Sequence, residues 1–256
     1  MTTRDSTSTG PIALAVIGGT GLYRLDWLEG VQRQSVVTPY GEPSSRIVVG
    51  YLGSARVLFL ARHGENHQLS PHRINYRANL WALHYLGAQQ VLGINSVGGI
   101  RADLGPGVLA VPEQIIDYTW GRSSTFGEDG ETLQHVDFTD PYSLALRRRL
   151  FTTAGQVGID LAEGGCYGAT QGPRLETRAE IARLRQDGCD LVGMTGMPEA
   201  ALARELGMDY ACLAIVANWA AGCDPEQRKI TFAEVKSTVA EAFAGISGLL
   251  ETLLRD

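Results

Sequence analysis

Short apolar runs alternate with segments of helical periodicity along most of this 256-residue chain. The first run, residues 12–17 (IALAVI), is continuously apolar, as expected for a strand that is buried on both faces. The last periodic segment, residues 231–254, repeats apolar residues at helical spacing. We therefore predict one α/β domain in which helices flank a central sheet, with functional loops at the strand ends.

Composition narrows the functional classes. Residues 1–11 (MTTRDSTSTGP) form a polar segment without the apolar core of a signal peptide, and we predict a disordered tail before a domain at residues 12–256. The net charge of −6 argues against nonspecific nucleic-acid binding, and no apolar run is long enough to span a membrane. The four cysteines lack CxxC spacing, which predicts thiols in the cytoplasm and no metal site.

Two predicted strands end in residues that suit an oxyanion. A glycine-rich turn, GGTGLY at 18–23, follows the first run and exposes N–H groups that can hold a phosphate. Dinucleotide binding is less expected, because the turn does not have the GxGxxG spacing. Arg62 and His63 follow the apolar run 56–61, and the planar guanidinium of an arginine suits an anion. Surface charge is the alternative interpretation of this pair.

A second group of polar residues lies further along the chain. Glu176 stands where the loop 171–176 becomes a helix, so its carboxylate could lie over a cleft or complement the helix dipole. Thr195 and Asn218 follow two more predicted strands. Between these groups, residues 119–134 are polar and glycine-rich, which predicts a surface loop or a subunit contact.

Taken together, the motifs resemble the purine nucleoside phosphorylase and methylthioadenosine phosphorylase family. The resemblance rests on GGTGLY (18–23), RHGENH (62–67), NSVGG (95–99), QGPRLETRAE (171–180) and VGMTGMPEAALARELG (192–207). It implies one α/β domain with a twisted, mixed central sheet flanked by helices, a homotrimer with active sites near subunit contacts, and phosphorolysis of a purine nucleoside. Inorganic phosphate would be the co-substrate, and the resemblance implies neither a metal nor an organic cofactor.

The resemblance also implies roles for single residues. The phosphate-binding positions are Thr20, Arg62, His63, Ser96 and Thr195. Met194 would lie against the ribose, with core packing as the alternative. Asn218 would act with Arg62 and His63 in catalysis, because the departing purine gains negative charge and the sugar becomes cationic.

Two positions bear on the identity of the base. Glu176 and Asn218 are similar to the inosine/guanosine branch of the family and differ from the methylthioadenosine branch. A carboxylate at Glu176 can accept the N1–H of a 6-oxopurine, and the amide of Asn218 can face both O6 and N7. These residues therefore predict hypoxanthine or guanine.

Three further positions bear on the sugar. Phe232 replaces a histidine of the inosine/guanosine branch, Val235 follows one turn later, and their apolar lining favours a 5′-methylthio group. The resemblance implies that His135 reaches the 5′ region of a neighbouring subunit. We expect phosphorolysis of S-methyl-5′-thioinosine to hypoxanthine and 5-methylthioribose 1-phosphate. The alternatives are phosphorolysis of inosine or guanosine, then of S-methyl-5′-thioadenosine, and a nucleoside-binding module without catalysis.

Overall fold

The computed structural model describes residues 10–19, 25–127 and 134–255. Within these ranges, eleven strands form one sheet and five α-helices flank it. The predicted tail lies outside the described residues, except for Gly10 and Pro11. The strands are β1 Ile12–Gly18, β2 Glu29–Gln34, β3 Ile47–Leu52, β4 Ala55–Ala61, β5 Gln90–Gly99, β6 Leu109–Val111, β7 Gln114–Asp117, β8 Leu161–Glu163, β9 Cys166–Ala169, β10 Leu191–Gly193 and β11 Asp209–Trp219. The helices are α1 Tyr76–Tyr85, α2 Leu144–Val157, α3 Arg178–Gln186, α4 Glu199–Glu205 and α5 Phe232–Leu253.

The sheet is mixed, which confirms the predicted fold class. Its main order is β2-β3-β4-β1-β5-β10-β9-β7, and β11 pairs with β5 and with β6, which in turn pairs with β8. β3 and β4 form an antiparallel hairpin, whereas β1 is parallel to β4 and β5, and β5 is parallel to β11. The central strands β1 and β5 are almost wholly buried, as the continuous apolar runs predict.

The sheet forks along one edge of β5. β11 pairs with β5 from Gln90 to Gly99, so the other partners of β5 share its opposite edge. On that edge β1 pairs only with residues 91–94, and β10 pairs only with residues 98 and 99. Residues 95–97 lie between these two pairings. β5 therefore contains the whole NSVGG motif, residues 95–99.

Helices cover both faces of the sheet. One core cluster packs α1 and α4 against the sheet through Leu80, Leu83 and Leu202. The second cluster packs α2 and α5 through Leu146, Leu150, Ile246, Leu249 and Leu250. Both clusters share the buried strands β1 and β5, so the fork in the sheet is surrounded by rigid, close-packed structure.

The last helix corresponds to the predicted segment, but Phe232, the first apolar residue of that segment, is not buried. α5 begins at Phe232 because Thr231 caps it, accepting a hydrogen bond from the N–H of Glu234. Its apolar stripe is buried at Val239, Ile246 and Leu250. Phe232 is 74% exposed, so the expectation that this ring continues the buried stripe is wrong. None of the described helices is long and apolar enough to cross a membrane.

Candidate active site

A cavity of about 550 Å³ lies at the fork. Eight of the eleven predicted site residues line it: His63, Ser96, Glu176, Met194, Thr195, Asn218, Phe232 and Val235. Arg62 is buried and His135 is exposed, and neither lines this cavity, while Thr20 lies outside the described residues. A neighbouring cavity of about 800 Å³ shares Glu176 and Asn218 but contains none of the predicted phosphate residues. We therefore place the site in the smaller cavity.

Asn95 and Thr195 form the innermost polar contact beside the cavity. The Asn95 side chain is buried, its Oδ1 accepts from Nη2 of Arg62 at 3.0 Å, and its Nδ2 donates to Oγ1 of Thr195 at 3.1 Å. Arginine can only donate, so this contact fixes which end of the amide faces Thr195. The Thr195 hydroxyl accepts from Asn95, which leaves its own proton for an acceptor in the cavity. Asn95 therefore positions the Thr195 hydroxyl. It belongs to the NSVGG motif, but no role was predicted for it from the sequence.

Arg62 forms a buried ion pair with Glu199. Nε and Nη2 of Arg62 donate to the two carboxylate oxygens, each at 2.8 Å, and both side chains are at most 1% exposed. Tyr210 also donates to Glu199, with 2.8 Å between the oxygens. Burial alone would lower the pKa of Arg62, but the charge and hydrogen bonds of Glu199 raise it above its usual value. Arg62 therefore stays charged and rigidly held.

The remaining edge of the Arg62 guanidinium faces the glycine-rich turn. Its Nη1 donates to the carbonyl of Ile94 at 2.9 Å, and it would lie 3.4 Å from a Cβ placed on Gly19. Nη1 carries two hydrogens, so one remains beyond the Ile94 contact among the described residues. Arg62 thus has a structural partner, Glu199, that the pattern of apolar residues in the sequence could not predict. Phosphate binding by Arg62 stays a prediction.

His63 is held as a neutral imidazole. Its Nδ1 lies 2.8 Å from the carbonyl of Leu69, which can only accept, so Nδ1 carries the hydrogen. Burial lowers the pKa of His63 to about 4, and the positive charge of Arg62 acts in the same direction. At neutral pH its Nε2 is therefore an acceptor, which can receive the O–H of a protonated phosphate.

Glu176 and Asn218 line both this cavity and the neighbouring one. Oε1 of Glu176 accepts from the Thr170 hydroxyl at 2.6 Å, and Nδ2 of Asn218 donates to the carbonyl of Trp219 at 2.6 Å. Each contact uses one part of the side chain, so a carboxylate oxygen, an amide oxygen and one amide hydrogen remain for a ligand. Glu176 precedes Thr177, which caps α3 in a capping box with Glu180. The end of this helix is thus already satisfied, which favours the cavity over the dipole interpretation of Glu176.

The outer rim of the cavity combines apolar and basic residues. Phe232 and Val235 lie on the first turn of α5, and Lys236 lines the cavity beside them. His67 also lines this rim, and burial together with the charge of Lys236 lowers its pKa. Neither basic residue was predicted from the sequence, although His67 lies within the RHGENH motif. Polar groups therefore stand close to the expected site of the 5′ substituent.

Comparison with known proteins agrees with this arrangement. Residues 13–255 match the family described as the Phosphorylase superfamily. A relative named probable S-methyl-5′-thioinosine phosphorylase, from Xanthomonas campestris pv. campestris, is 62% identical over 249 residues, covering 97% of this chain and 99% of the relative. A probable 6-oxopurine nucleoside phosphorylase from Thermococcus kodakarensis is 44% identical over 243 residues, covering 93% and 90%.

A solved structure gives the same result for the fold. Methylthioadenosine phosphorylase from Schistosoma mansoni, in complex with adenine, superposes with a TM-score of 0.90 at 31% identity. The match covers 95% of this chain and 91% of that one. The chain therefore belongs to the phosphorylase superfamily and is an enzyme of the nucleoside phosphorylase type.

Proposed function

We propose that this enzyme catalyses the phosphorolysis of S-methyl-5′-thioinosine to hypoxanthine and 5-methylthioribose 1-phosphate. The observation that carries the proposal is that Glu176 and Asn218 line the same cavity as His63 and Thr195. The relative named probable S-methyl-5′-thioinosine phosphorylase supports the same substrate, because the match covers nearly the whole of both chains.

In the proposed reaction an oxygen of phosphate forms a bond with C1′ while the C1′–N9 bond breaks. The electrons of that bond move to the purine, which takes up a proton as the phosphate loses one and leaves as neutral hypoxanthine. The sugar is cationic in the transition state, so the adjacent anionic phosphate stabilises it. Hydrogen bonds from Thr195 and Ser96 would orient the phosphate, and Nε2 of His63 would accept a hydrogen bond from its protonated oxygen. Phosphate is the co-substrate, and this chemistry needs no metal or organic cofactor.

The base would be recognised by complementary hydrogen bonds. The free oxygen of Glu176 would accept the N1–H of a 6-oxopurine, and the Asn218 amide would meet O6 and N7. A 6-aminopurine has no proton on N1 and carries a donor where the oxo group accepts. Binding it would leave buried polar groups without partners, which is strongly disfavoured. This argument favours hypoxanthine over adenine as the released base.

The 5′ substituent would lie against Phe232 and Val235. A methylthio group gains from contact with apolar surface, whereas a hydroxyl there needs a hydrogen-bond partner. His67 and Lys236 line the same rim and could supply one, which makes phosphorolysis of inosine the second candidate function.

The direct test is phosphate-dependent release of free base. Purified enzyme would be incubated with methylthioinosine, inosine, guanosine or methylthioadenosine, with and without phosphate, and the bases quantified by chromatography. We expect hypoxanthine from methylthioinosine only when phosphate is present, with one methylthioribose 1-phosphate per base. Equal kcat/KM for inosine would favour the ordinary purine nucleoside phosphorylase. Tight nucleoside binding without turnover would indicate a binding module.

The proposal includes a homotrimer in the cytoplasm, as the resemblance implies. Phe232 is 74% exposed at the rim of the cavity, and His135 is exposed outside it, which supports coverage of the rim by a second copy. The four cysteines are free thiols, in keeping with a reducing compartment. Sedimentation would test the assembly, with three chain masses expected and one chain mass contradicting it, and cell fractionation would test the location.

A further inference from the structure

Arg122 contacts two separate segments of the active site through one guanidinium group. It belongs to residues 119–127 of the polar excursion and does not line the cavity. Its Nη1 donates to the carbonyls of Met194 at 2.8 Å and Met197 at 2.6 Å. Its Nη2 donates to the carbonyls of Gln171 at 2.9 Å and Thr170 at 3.3 Å.

These carbonyls belong to two segments to which the proposed function gives different roles. Met194 and Met197 lie on either side of Thr195, which would bind the phosphate. Thr170 donates to the carboxylate of Glu176, which would bind the base. Nε of Arg122 adds a contact with the Gln171 side chain at 3.2 Å. One planar group thus joins the segment at 194–197 to the segment at 170–176.

The two segments also touch each other. Gly172 has a φ of 63°, in the region that favours glycine, and a Cβ there would lie 2.4 Å from Sδ of Met194. A side chain at position 172 would therefore collide with Met194, so the two segments pack directly against each other. The Arg122 guanidinium donates hydrogen bonds to the backbone of both segments. It also lies over the ring of Tyr76, 5.5 Å from the ring centroid.

We propose that Arg122 is a positioning residue that sets the distance between the phosphate side and the base side of the cavity. An arginine suits this role because its five N–H groups have a fixed planar geometry that a lysine lacks. The inference rests on the proposed function, since the two sides must hold phosphate and purine at bonding distance across C1′. A misplacement of about 1 Å in such an arrangement lowers the rate by about a hundredfold.

The kinetic test compares three variants: Arg122→Ala, Arg122→Lys and, as the matched control, Arg149→Ala. Arg149 also donates to a backbone carbonyl, that of Leu253 at 2.8 Å, but it lies on α2 away from the cavity. For Arg122→Ala we expect kcat/KM to fall by about 10- to 100-fold for both phosphate and nucleoside. The control should change by less than about threefold even if it loses similar thermal stability. Millimolar guanidinium should restore activity to Arg122→Ala alone.

A second measurement does not depend on turnover. Hydrogen exchange of the backbone amides in 170–176 and 194–197 should become faster in Arg122→Ala and stay unchanged in Arg149→Ala. If the wild type lacks phosphorolysis, the proposed function fails while exchange still tests the inference. If Arg122→Ala does not fold, Arg122→Lys provides both readouts. Unchanged exchange, a change in only one segment, or a kinetic loss limited to one substrate would overturn the proposal.

Discussion

The side-chain amide of Asn95 donates a hydrogen bond to the hydroxyl of Thr195, with 3.1 Å between Nδ2 and Oγ1. This contact orients the threonine as a donor toward the cavity. Thr195→Val should therefore raise the KM for phosphate about tenfold to hundredfold, because a hydrogen bond to a charged group contributes about 1.5–3 kcal/mol. Thr195→Ser keeps the hydroxyl and serves as the control. Phosphate saturation at saturating nucleoside is the measurement, and an equal rise in the nucleoside KM would contradict the assignment.

The ion pair of Arg62 and Glu199 should dominate the response of stability to mutation in this region. Glu199→Leu leaves a buried guanidinium without its counter-charge, and we expect a loss of about 3–5 kcal/mol in the free energy of unfolding. The double variant Arg62→Met with Glu199→Leu should lose less than the sum of the single changes. Urea denaturation of all four proteins tests this, and additive losses would count against it. Arg62→Ala alone is consequently a poor probe of phosphate binding.

The base preference should depend on Asn218. Asn218→Asp removes the amide donor, so turnover of methylthioinosine should fall while that of methylthioadenosine improves in relative terms. Gln68→Glu adds a carboxylate to the same cavity near His63 and is the matched control for charge. The ratio of kcat/KM for the two nucleosides is the measurement. A ratio that stays the same in Asn218→Asp would show that this residue does not recognise the base.

The preference at the 5′ position should depend on Phe232. Contact of a methylthio group with Phe232 and Val235 should contribute about 1–2 kcal/mol, equivalent to a preference over inosine of about fivefold to thirtyfold. Phe232→His should narrow this gap by offering a hydroxyl a partner, whereas Phe232→Leu should retain it. Comparing kcat/KM for both nucleosides in the three proteins tests the effect. No change in Phe232→His would assign the 5′ preference to other residues of the rim.

Acid should destabilise the fold through His63. Burial lowers its pKa from an ordinary value of about 6.5 to about 4, so the unfolded chain binds a proton in this interval that the folded chain does not. The stabilisation is complete above pH 6.5 and is lost as the pH falls toward 4. Urea denaturation across this range should show a shallower decline for His63→Gln than for the wild type. The exposed His72→Gln is the matched control, and identical slopes for His63→Gln and wild type would contradict the prediction.

The sequence predicted the fold class and most of the cavity for a common reason. Buried strands read as continuous apolar runs, and the polar residues that follow them converge where the strands end. His63, Thr195 and Asn218 are examples, since each follows or ends a strand of the sheet.

Other features depend on contacts between distant parts of the chain. Arg62 and Glu199 are 137 positions apart, and no local pattern indicates that the first residue of α4 is buried against Arg62. The exposure of Phe232 also escapes periodicity, which describes the stripe of a helix but not how far the neighbouring structure covers it. Arg122 lies in a glycine-rich segment with no periodicity at all, so only the folded chain reveals its four carbonyl partners.

The buried ion pair has a consequence for how ionic strength acts on the enzyme. The charge of Arg62 is balanced at contact distance by Glu199, so it contributes little long-range attraction for an anion. Phosphate affinity would then come mainly from directed hydrogen bonds inside the cavity, where added salt screens poorly. Lys236 at the exposed rim would supply the long-range attraction for phosphate, which salt can screen. Capture of phosphate from solution should therefore slow with added salt, while its retention in the cavity should hardly change.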